Sequence, residues 1–297
     1  MKISRRDFLK WSAAVAAALK LNLDMDKLNT VIAAESDPPV IWLQGAGCSG
    51  CTISLLNVTN PTTIDDVLLN KISMKYDSTI MTSAGETAMQ ALENAANQYN
   101  GQFILVIEGA IPTGTKKDYC IIGEQNGTHL SMLDALNKYG PMAKYVVAAG
   151  TCSSFGGVAA ASPNNTSCSP VKTVLSGKTK NPVVNLPGCP AHPTVMVQIL
   201  LDLILTGMPT LDSNSRPTKY FAKYVHATCP RREGSDASAI GQPGCYEHFG
   251  CMGVYCNAPC VSTKWNNGVN WCIGSANYPC IGCTKPAFPT NPLNIPQ

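Results

Sequence analysis

Residues 40–51 read VIWLQGAGCSGC, a short apolar strand that runs directly into a glycine-rich turn carrying two cysteines. An apolar run of this kind is typical of a strand buried on both faces of a parallel sheet. Open parallel sheets bind ligands just beyond the carboxyl ends of their strands. A Cys-x-x-Cys pair at that point therefore indicates a metal site built on an α/β scaffold.

Strands and helices continue to alternate along the first two thirds of the chain. Apolar runs predict further strands near residues 75–81, 103–107, 145–148 and 182–186. Helical spacing predicts helices near residues 63–72, 84–99, 130–139 and 193–206. This order favours a flavodoxin-like parallel sheet covered by helices on both faces.

Two further cysteines follow strands in the same way, Cys152 in Gly-Thr-Cys and Cys189 in Pro-Gly-Cys. Because strand ends of a parallel sheet meet at one edge, they should converge with Cys48 and Cys51. A [4Fe–4S] cluster takes four protein ligands, normally thiolates, and these four form the first predicted set. Glu108 ends a strand at the same edge. It is expected beside this site, at a contact between subunits, or as a plain strand-terminal carboxylate.

The character of the chain changes near residue 210, after which proline, glycine, asparagine and cysteine dominate and apolar periodicity fades. Two more sets of four ligands lie there. The second set is His226, Cys229, Cys245 and Cys251, and the third is Cys260, Cys272, Cys280 and Cys283. We therefore predict three [4Fe–4S] clusters and a role in electron transfer. Metal ligation would supply much of the folding energy of this irregular region.

The amino-terminal residues 1–34 are predicted to be a twin-arginine export signal that is removed from the mature protein. Ser4–Lys10 reads SRRDFLK, followed by an apolar run too short to span a bilayer. We then expect a flavodoxin-like domain at 35–209, which carries the first cluster, and a C-terminal cluster domain at 210–297.

The positive net charge of the precursor comes from the predicted export signal. Removing residues 1–34 takes six of the 22 Lys/Arg and three of the 19 Asp/Glu, which leaves 16 of each. The mature chain is formally neutral, so the precursor's net charge of +3 is no sign of binding to nucleic acid or anionic membrane, and we expect no nucleic-acid partner. No run of about 18 apolar residues follows the signal. The sequence thus predicts a periplasmic protein, soluble or peripherally membrane-associated, with no membrane anchor of its own.

Fourteen cysteines in an exported chain also raise the alternative of a disulfide-stapled binding protein without redox function. Disulfide scaffolds are usually short chains that lack a large core, whereas this chain has strong apolar strands. Its Cys-x-x-Cys and His-x-x-Cys spacings are typical of ligands.

At this point the motifs resemble those of a known family, the small, electron-transfer subunits of exported nickel–iron hydrogenases, from about Pro39 to Phe288. The matching motifs are GAGCSGC (45–51), EGAIP (108–112), GTC (150–152), GCP (188–190), VHATCP (225–230) and PCIGC (279–283). Each motif alone is weakly specific, but their order and spacing together are highly specific.

The resemblance implies a role for each set of ligands. The first set would hold a proximal cluster beside the nickel–iron site of a large subunit, and the third set a medial cluster. The second set would hold a distal cluster near the surface. The implied reaction is reversible oxidation of H2 by a heterodimer. No catalytic residue lies in this chain, and a periplasmic cytochrome c or a similar protein accepts the electrons.

One departure from the family pattern concerns the medial set. Cys272 stands where the standard nickel–iron enzymes have a proline and a [3Fe–4S] cluster. This difference, together with the stretch around Cys120, resembles the nickel–iron–selenium branch and favours a medial [4Fe–4S]. Alternatively, Cys272 is a bystander and the medial cluster is [3Fe–4S]. Cys256 is a further alternative ligand, in place of Cys260.

Several residues lie outside the three sets. Cys120 is expected to be buried and inert, and His129, His192 and His248 to be structural, whereas the sequence assigns no role to Cys168. Glycines at positions 50 and 157 exclude the six-cysteine proximal cluster of oxygen-tolerant hydrogenases. A cluster subunit of a related quinone or coenzyme oxidoreductase is the remaining alternative function, because it would share the first domain.

Overall fold

The structure is a computed structural model that describes residues 38–125 and 127–289. The predicted export signal therefore lies outside the described residues. Nine strands, ten α-helices and four short 3-10 helices occur within the described ranges. The strands are β1 (Pro39–Gln44), β2 (Ser73–Asp77), β3 (Ile104–Glu108), β4 (Ile111–Pro112), β5 (Ile121–Gln125), β6 (Thr128–Ser131), β7 (Tyr145–Ala149), β8 (Cys168–Ser169) and β9 (Val184–Leu186). The helices are α1 (Gly50–Leu56), α2 (Ile64–Asn70), α3 (Gly85–Gln98), α4 (Met132–Tyr139), α5 (Thr151–Phe155), α6 (Val171–Val174), α7 (Pro193–Leu205), α8 (Thr218–Phe221), α9 (Val225–Thr228) and α10 (Cys260–Thr263).

Five strands form one parallel sheet in the order β2-β1-β3-β7-β9. Numbered by their occurrence along the chain, these sheet strands have the order 2-1-3-4-5, which is the flavodoxin-like arrangement. The order reverses between β1 and β3, where Gln44 pairs with Glu108. The predicted fold class is confirmed. The point at which the strand order reverses lies at the carboxyl ends of β1 and β3, and Cys48 comes shortly after β1.

The sheet is covered on both faces, as the unbroken apolar strands require. Val40 and Trp42 of β1 face one core, which packs against α1 and α7. Ile41 and Leu43 face the other core, which packs against α3 and α4. Successive side chains of a strand point to opposite faces, so a single strand contributes to both cores. All four of these side chains are fully buried, and each contributes roughly 1.5–3 kcal/mol through burial.

Several boundaries differ from the sequence prediction. The strand expected near residues 75–81 is Ser73–Asp77. The helix expected from residue 130 begins at Met132, because Ser131 caps it: the Ser131 hydroxyl accepts a hydrogen bond from the backbone N–H of Asp134 at 3.1 Å. The hairpin formed by β5 and β6 was not predicted.

Regular structure becomes sparse after α7. Helices α8, α9 and α10 have four residues each, and the third apolar cluster consists largely of cysteines and aromatic side chains. This cluster includes Cys229, Cys251, Cys256 and Cys280. The predicted domain boundary at 209/210 stays a prediction. Among the described residues, no helix is both long enough and apolar enough to cross a bilayer.

Candidate metal centres

The first predicted site lies at the switch point of the sheet. The glycine-rich stretch after β1 leads into α1, a seven-residue helix that begins at Gly50 and carries Cys51 in its first turn. The sequence predicted a glycine-rich loop at this place and not a helix. The residue before the helix, Ser49, has φ 60°, a left-handed conformation that turns the chain sharply out of the strand.

Glu108 holds the first turn of α1 from the neighbouring strand. Its carboxylate accepts hydrogen bonds from the backbone N–H of Cys51 at 2.7 Å and that of Thr52 at 2.9 Å. It also accepts from the Thr52 hydroxyl at 2.6 Å and the Trp42 indole N–H at 3.2 Å. A buried carboxylate at a helix N-terminus satisfies backbone donors that otherwise lack partners. Of the three expectations for Glu108, the structure supports a place beside the first site.

The four ligands of the first set come together at this edge. Burial, the charge of Glu108 and the neighbouring thiols of Cys152 and Cys189 raise the pKa of the Cys51 thiol well above its usual range. Burial raises the pKa of Cys189, and Cys152 and Cys48 raise it further. Cys48 and Cys189 are exposed, Cys152 is half-buried and Cys51 is buried.

Glycines leave room around these sulfurs. Gly150 has φ +89°, and a Cβ on it would lie 2.4 Å from Cys51 Sγ. Gly157 has φ +52°, and a Cβ there would lie 2.9 Å from Cys152 Sγ. Only glycine combines this backbone conformation with such close approach. The space beside the thiols is therefore kept free of side chains, as a bulky inorganic group requires.

The third set lines one cavity in the C-terminal region. Five cysteines contribute to its wall: Cys256, Cys260, Cys272, Cys280 and Cys283. Burial, together with the Cys256 and Cys272 thiols, raises the pKa of Cys260 to about 12. Burial likewise raises the pKa of Cys283 well above its usual range, with smaller contributions from Cys256, Cys260 and Cys272. The predicted set converges, and a fifth thiol lies within it.

Cys256 is the member that sequence reasoning left open. It is 1% exposed, whereas Cys272 is exposed. Its Sγ lies 2.9 Å from the Thr284 hydroxyl, and that hydroxyl donates its one proton to the Asn257 carbonyl at 2.7 Å. A hydrogen bond from the Cys280 thiol lowers the pKa of Cys256 to about 7, but a metal-bound thiolate at Cys280 has no proton to donate. With Cys280 as a ligand and the Thr284 proton given to Asn257, Thr284 is left as the acceptor for the Cys256 S–H.

The second set lies near the surface. Burial raises the pKa of Cys229, and Cys251 and Cys245 raise it further. The ligand atoms of His226, Cys245 and Glu247 all lie within 4.8 Å of one another. The His226 side chain is 26% exposed, and its Nε2 lies 3.8 Å from a Glu247 oxygen. Glu247 was not among the predicted site residues; a nearby carboxylate often orients a metal-bound histidine.

Hydrogen bonds join the first set to the third and the third set to the second. The Thr151 hydroxyl, beside Cys152, donates to the carbonyl of Cys283. A backbone hydrogen bond from Cys189 also reaches the Cys283 thiol. At the other end of the third set, the Cys280 N–H donates to Cys251 Sγ at 3.3 Å. The third set therefore lies between the first and the second.

The donor chemistry fits iron–sulfur clusters better than disulfides. All fourteen cysteines lie in the described part of the chain and all are free. Buried thiols that raise one another's pKa do not ionise readily unless a positive charge compensates the thiolates. Bound metal supplies that charge. The disulfide-stapled alternative is therefore not supported.

The remaining predicted non-ligands have ordinary surroundings. Cys120 is half-buried, and burial raises its pKa to about 11. Cys168 is buried in β8 and contacts the Thr166 hydroxyl at 3.2 Å. The exposed His129 and His248 face Glu124 and Asp236 at 3.8 and 3.1 Å. His192 has more contacts than predicted, because it lies against Trp265 with ring centroids 4.5 Å apart.

Family models match both halves of the chain. The model described as NADH ubiquinone oxidoreductase, 20 Kd subunit, matches residues 48–203. The model for the C-terminal part of the NiFe/NiFeSe hydrogenase small subunit matches residues 221–294. The second match disfavours the alternative of a quinone or coenzyme oxidoreductase subunit. The twin-arginine translocation signal model matches residues 2–21, which confirms an export signal there, while its end at residue 34 stays a prediction.

Relatives are similar over nearly the whole length. The periplasmic [NiFeSe] hydrogenase small subunit of Desulfomicrobium baculatum is 37% identical, with 97% of each chain covered. The periplasmic [NiFe] hydrogenase small subunit of Solidesulfovibrio fructosivorans is 36% identical, covering 96% of this chain and 90% of the relative. A crystal structure of the reduced, active Ni-Fe-Se hydrogenase from Desulfomicrobium baculatum superposes with a TM-score of 0.82 and 37% identity, covering 88% of this chain and 100% of that chain.

Proposed function

The chain belongs to the small-subunit family of NiFe/NiFeSe hydrogenases, and from this we propose that its three ligand sets hold three iron–sulfur clusters in series. It is an exported hydrogenase component whose active site lies in the large subunit. The proposed reaction of the heterodimer is reversible oxidation of H2. In it, this chain carries electrons between the large subunit and an external redox protein.

The observation that carries the proposal is the continuity of the three sets. The backbone of Cys189 reaches the thiol of Cys283, and the N–H of Cys280 reaches the thiol of Cys251. Electron transfer requires short gaps between neighbouring centres. Each gap here is bridged by a contact between a ligand residue of one set and a ligand residue of the next. Iron–sulfur clusters supply reversible one-electron chemistry at potentials set by ligands, hydrogen bonds and burial.

The first set is proposed to face the large subunit. Two of its ligands, Cys48 and Cys189, are exposed on the described chain, and next to them Ile53 is 49% exposed. A stable heterodimer would cover this edge and exclude water from it. Glu108 and Gly150 then hold Cys51 in place and keep the space beside its sulfur open.

The third set is proposed to hold a [4Fe–4S] cluster, with Cys272 as the ligand that replaces the proline of standard nickel–iron enzymes. Cys272 raises the pKa of both Cys260 and Cys283, which supports its place in the set. A fourth thiolate adds negative charge, so the potential should be lower than that of a three-iron centre.

The second set is proposed to be the exit for electrons. His226 replaces one thiolate with a neutral imidazole, which removes negative charge and favours the reduced state. The partly exposed ring lies where an acceptor can dock. A periplasmic cytochrome c or similar protein is the proposed acceptor.

Iron analysis of the anaerobically purified heterodimer tests the proposal. We expect about 12 iron atoms attributable to this chain and a similar amount of acid-labile sulfide, since each cubane holds four of each. Electron paramagnetic resonance of the reduced protein should show three interacting clusters. Far fewer iron atoms, or thiols paired as disulfides, would refute it.

A further inference from the structure

A carboxylate outside every predicted ligand set lies beside the histidine of the second set. Glu247 Oε2 is 3.8 Å from His226 Nε2, and the ligand atoms of His226, Cys245 and Glu247 all lie within 4.8 Å of one another. Within the part of the chain that the structure describes, Glu247 has no other ion-pair partner. The carboxylate is therefore paired with the imidazole and not with an arginine or a lysine.

Glu247 is held at this place although its side chain is 51% exposed. It directly follows Tyr246, which is 1% exposed and whose hydroxyl donates to the side-chain oxygen of Asn277 at 2.6 Å. With Tyr246 anchored in the interior, its two neighbours, Cys245 and Glu247, are kept together beside His226.

The backbone on both sides of His226 is fixed as well. The N–H of Val225 donates to the Cys256 carbonyl at 2.9 Å, and the N–H of Cys229 donates to the His226 carbonyl at 3.2 Å. The His226 side chain is 26% exposed, so the ring lies partly at the surface. The spacing between ring and carboxylate is thus set by two anchored segments of the chain.

We propose that Glu247 is a positioning residue of the second site, whose carboxylate restores, outside the ligand set, the negative charge that His226 removes from it. The inference rests on the proposed function, because it assumes that His226 binds a [4Fe–4S] cluster. A carboxylate accepts hydrogen bonds and does not donate them. The Nε2 that faces it therefore carries the proton, and Nδ1 is left to bind iron.

This charge acts on the potential of the cluster from which electrons leave. A neutral imidazole alone favours the reduced state, so the cluster would retain the electron that it must pass on. Negative charge nearby disfavours the added electron and lowers the potential. The separation of 3.8 Å between Glu247 and His226 is well within the Debye length of about 8 Å at physiological ionic strength, so salt screens the effect only in part.

Removing the charge while keeping the shape of the side chain tests the proposal. In Glu247→Gln the midpoint potential of the second cluster should become more positive than in the wild-type heterodimer, with unchanged iron content. Glu247→Asp keeps the charge, so its potential should lie nearer that of wild type. A redox titration of the anaerobically purified heterodimer, followed by electron paramagnetic resonance, measures the potential. Coupling of the unpaired electron to a histidine nitrogen identifies the second cluster.

Glu124→Gln is the matched control. Glu124 Oε2 and His129 Nε2 are also 3.8 Å apart, but this pair lies on the β5–β6 hairpin, outside every ligand set. The control should retain the wild-type potential. Equal potentials in wild type and Glu247→Gln would overturn the proposal. Loss of the cluster's iron in Glu247→Gln would place Glu247 among the ligands and overturn it too. A wild-type heterodimer without a histidine-bound cluster would instead count against the proposed function.

Discussion

At the scale of single residues, the most consequential side chain outside the ligand sets is Glu108. Four donors converge on its carboxylate from Trp42, Cys51 and Thr52. Sequence reasoning located it at the right edge of the sheet but could not assign its role. Three of the four donors, those of Cys51 and Thr52, belong to a helix that the sequence did not predict.

Glu108→Gln should destabilise the first site. Glutamine replaces one carboxylate oxygen with an amide NH2 group, which donates and cannot accept. The N–H or O–H groups that donated to that oxygen then have no acceptor. Leaving a buried donor unsatisfied costs about 1–3 kcal/mol. We expect a lower thermal midpoint and faster iron loss from the heterodimer. Glu124→Gln, at a carboxylate whose side chain is 56% exposed, should leave both unchanged. Equal effects of the two substitutions would contradict this role of Glu108.

Cys272→Pro should convert the third site to the three-thiolate pattern of the standard enzymes. The oxidised heterodimer should then show the paramagnetic signal of a [3Fe–4S] cluster and contain one iron fewer, whereas wild type shows no such signal. Cys120→Ser, which changes a half-buried thiol outside the sets, serves as the control.

The fifth thiol of the cavity makes this experiment informative in a second way. If Cys272→Pro kept its four irons, Cys272 would not be the essential fourth ligand. Adding Cys256→Ala would then show whether Cys256 had replaced it. The hydrogen bond from Cys256 to Thr284 leads us to expect that it does not.

At the scale of elements, the strand ends determine where the first site lies. Cys51, Cys152 and Cys189 follow β1, β7 and β9, three strands of one parallel sheet. Their sequence separations are large, but strand topology brings them to one edge. This convergence could be predicted from the sequence, since it depends only on strand order and polarity.

Gly150→Ala should disrupt that edge specifically. The new Cβ would lie 2.4 Å from Cys51 Sγ, in a backbone conformation with φ +89°. The matched control is Gly177→Ala, at φ +70°, where a Cβ would meet nothing within 4 Å. Both substitutions carry the backbone strain of about 1–2 kcal/mol. Only Gly150→Ala should reduce the iron content of the heterodimer, and equal iron contents would show that crowding of Cys51 is unimportant.

The elements that could not be predicted are the ones that depend on distant contacts. Helix α1 begins directly after a glycine-rich turn, and its first turn is held by Glu108 from another strand. The packing of His192 on Trp265 joins residues 73 positions apart, and neither has a ligand spacing that would reveal it. Cys256 resembled a ligand in sequence, and its contact with Thr284 is a feature of the folded chain that the sequence could not show.

At the scale of the whole molecule, stability is unevenly distributed. The sheet has two extensive apolar cores, whereas the region after α7 has short helices and a cluster made largely of cysteines and aromatic side chains. The amino-terminal part is therefore held by apolar burial. The rest depends on its ligands.

Removing the clusters should consequently unfold the two parts to different extents. After acid extraction of iron and return to neutral pH, amides in β1, β3 and β7 should remain protected from hydrogen exchange. Amides between residues 225 and 283 should exchange rapidly. Mass spectrometry of the loaded and extracted protein measures both regions. Equal protection of residues 225–283 in the two forms would show that this region folds without metal.

The contacts of Cys280 and Cys283 have a consequence for gene expression. These residues are synthesised after every strand of the sheet, yet one of them touches Cys251 and the other touches Cys189. A messenger RNA truncated just before codon 280 would encode every strand of the sheet while leaving the first and second sites with no route between them. An antibody raised against the amino-terminal half would then report full expression of a polypeptide that cannot conduct.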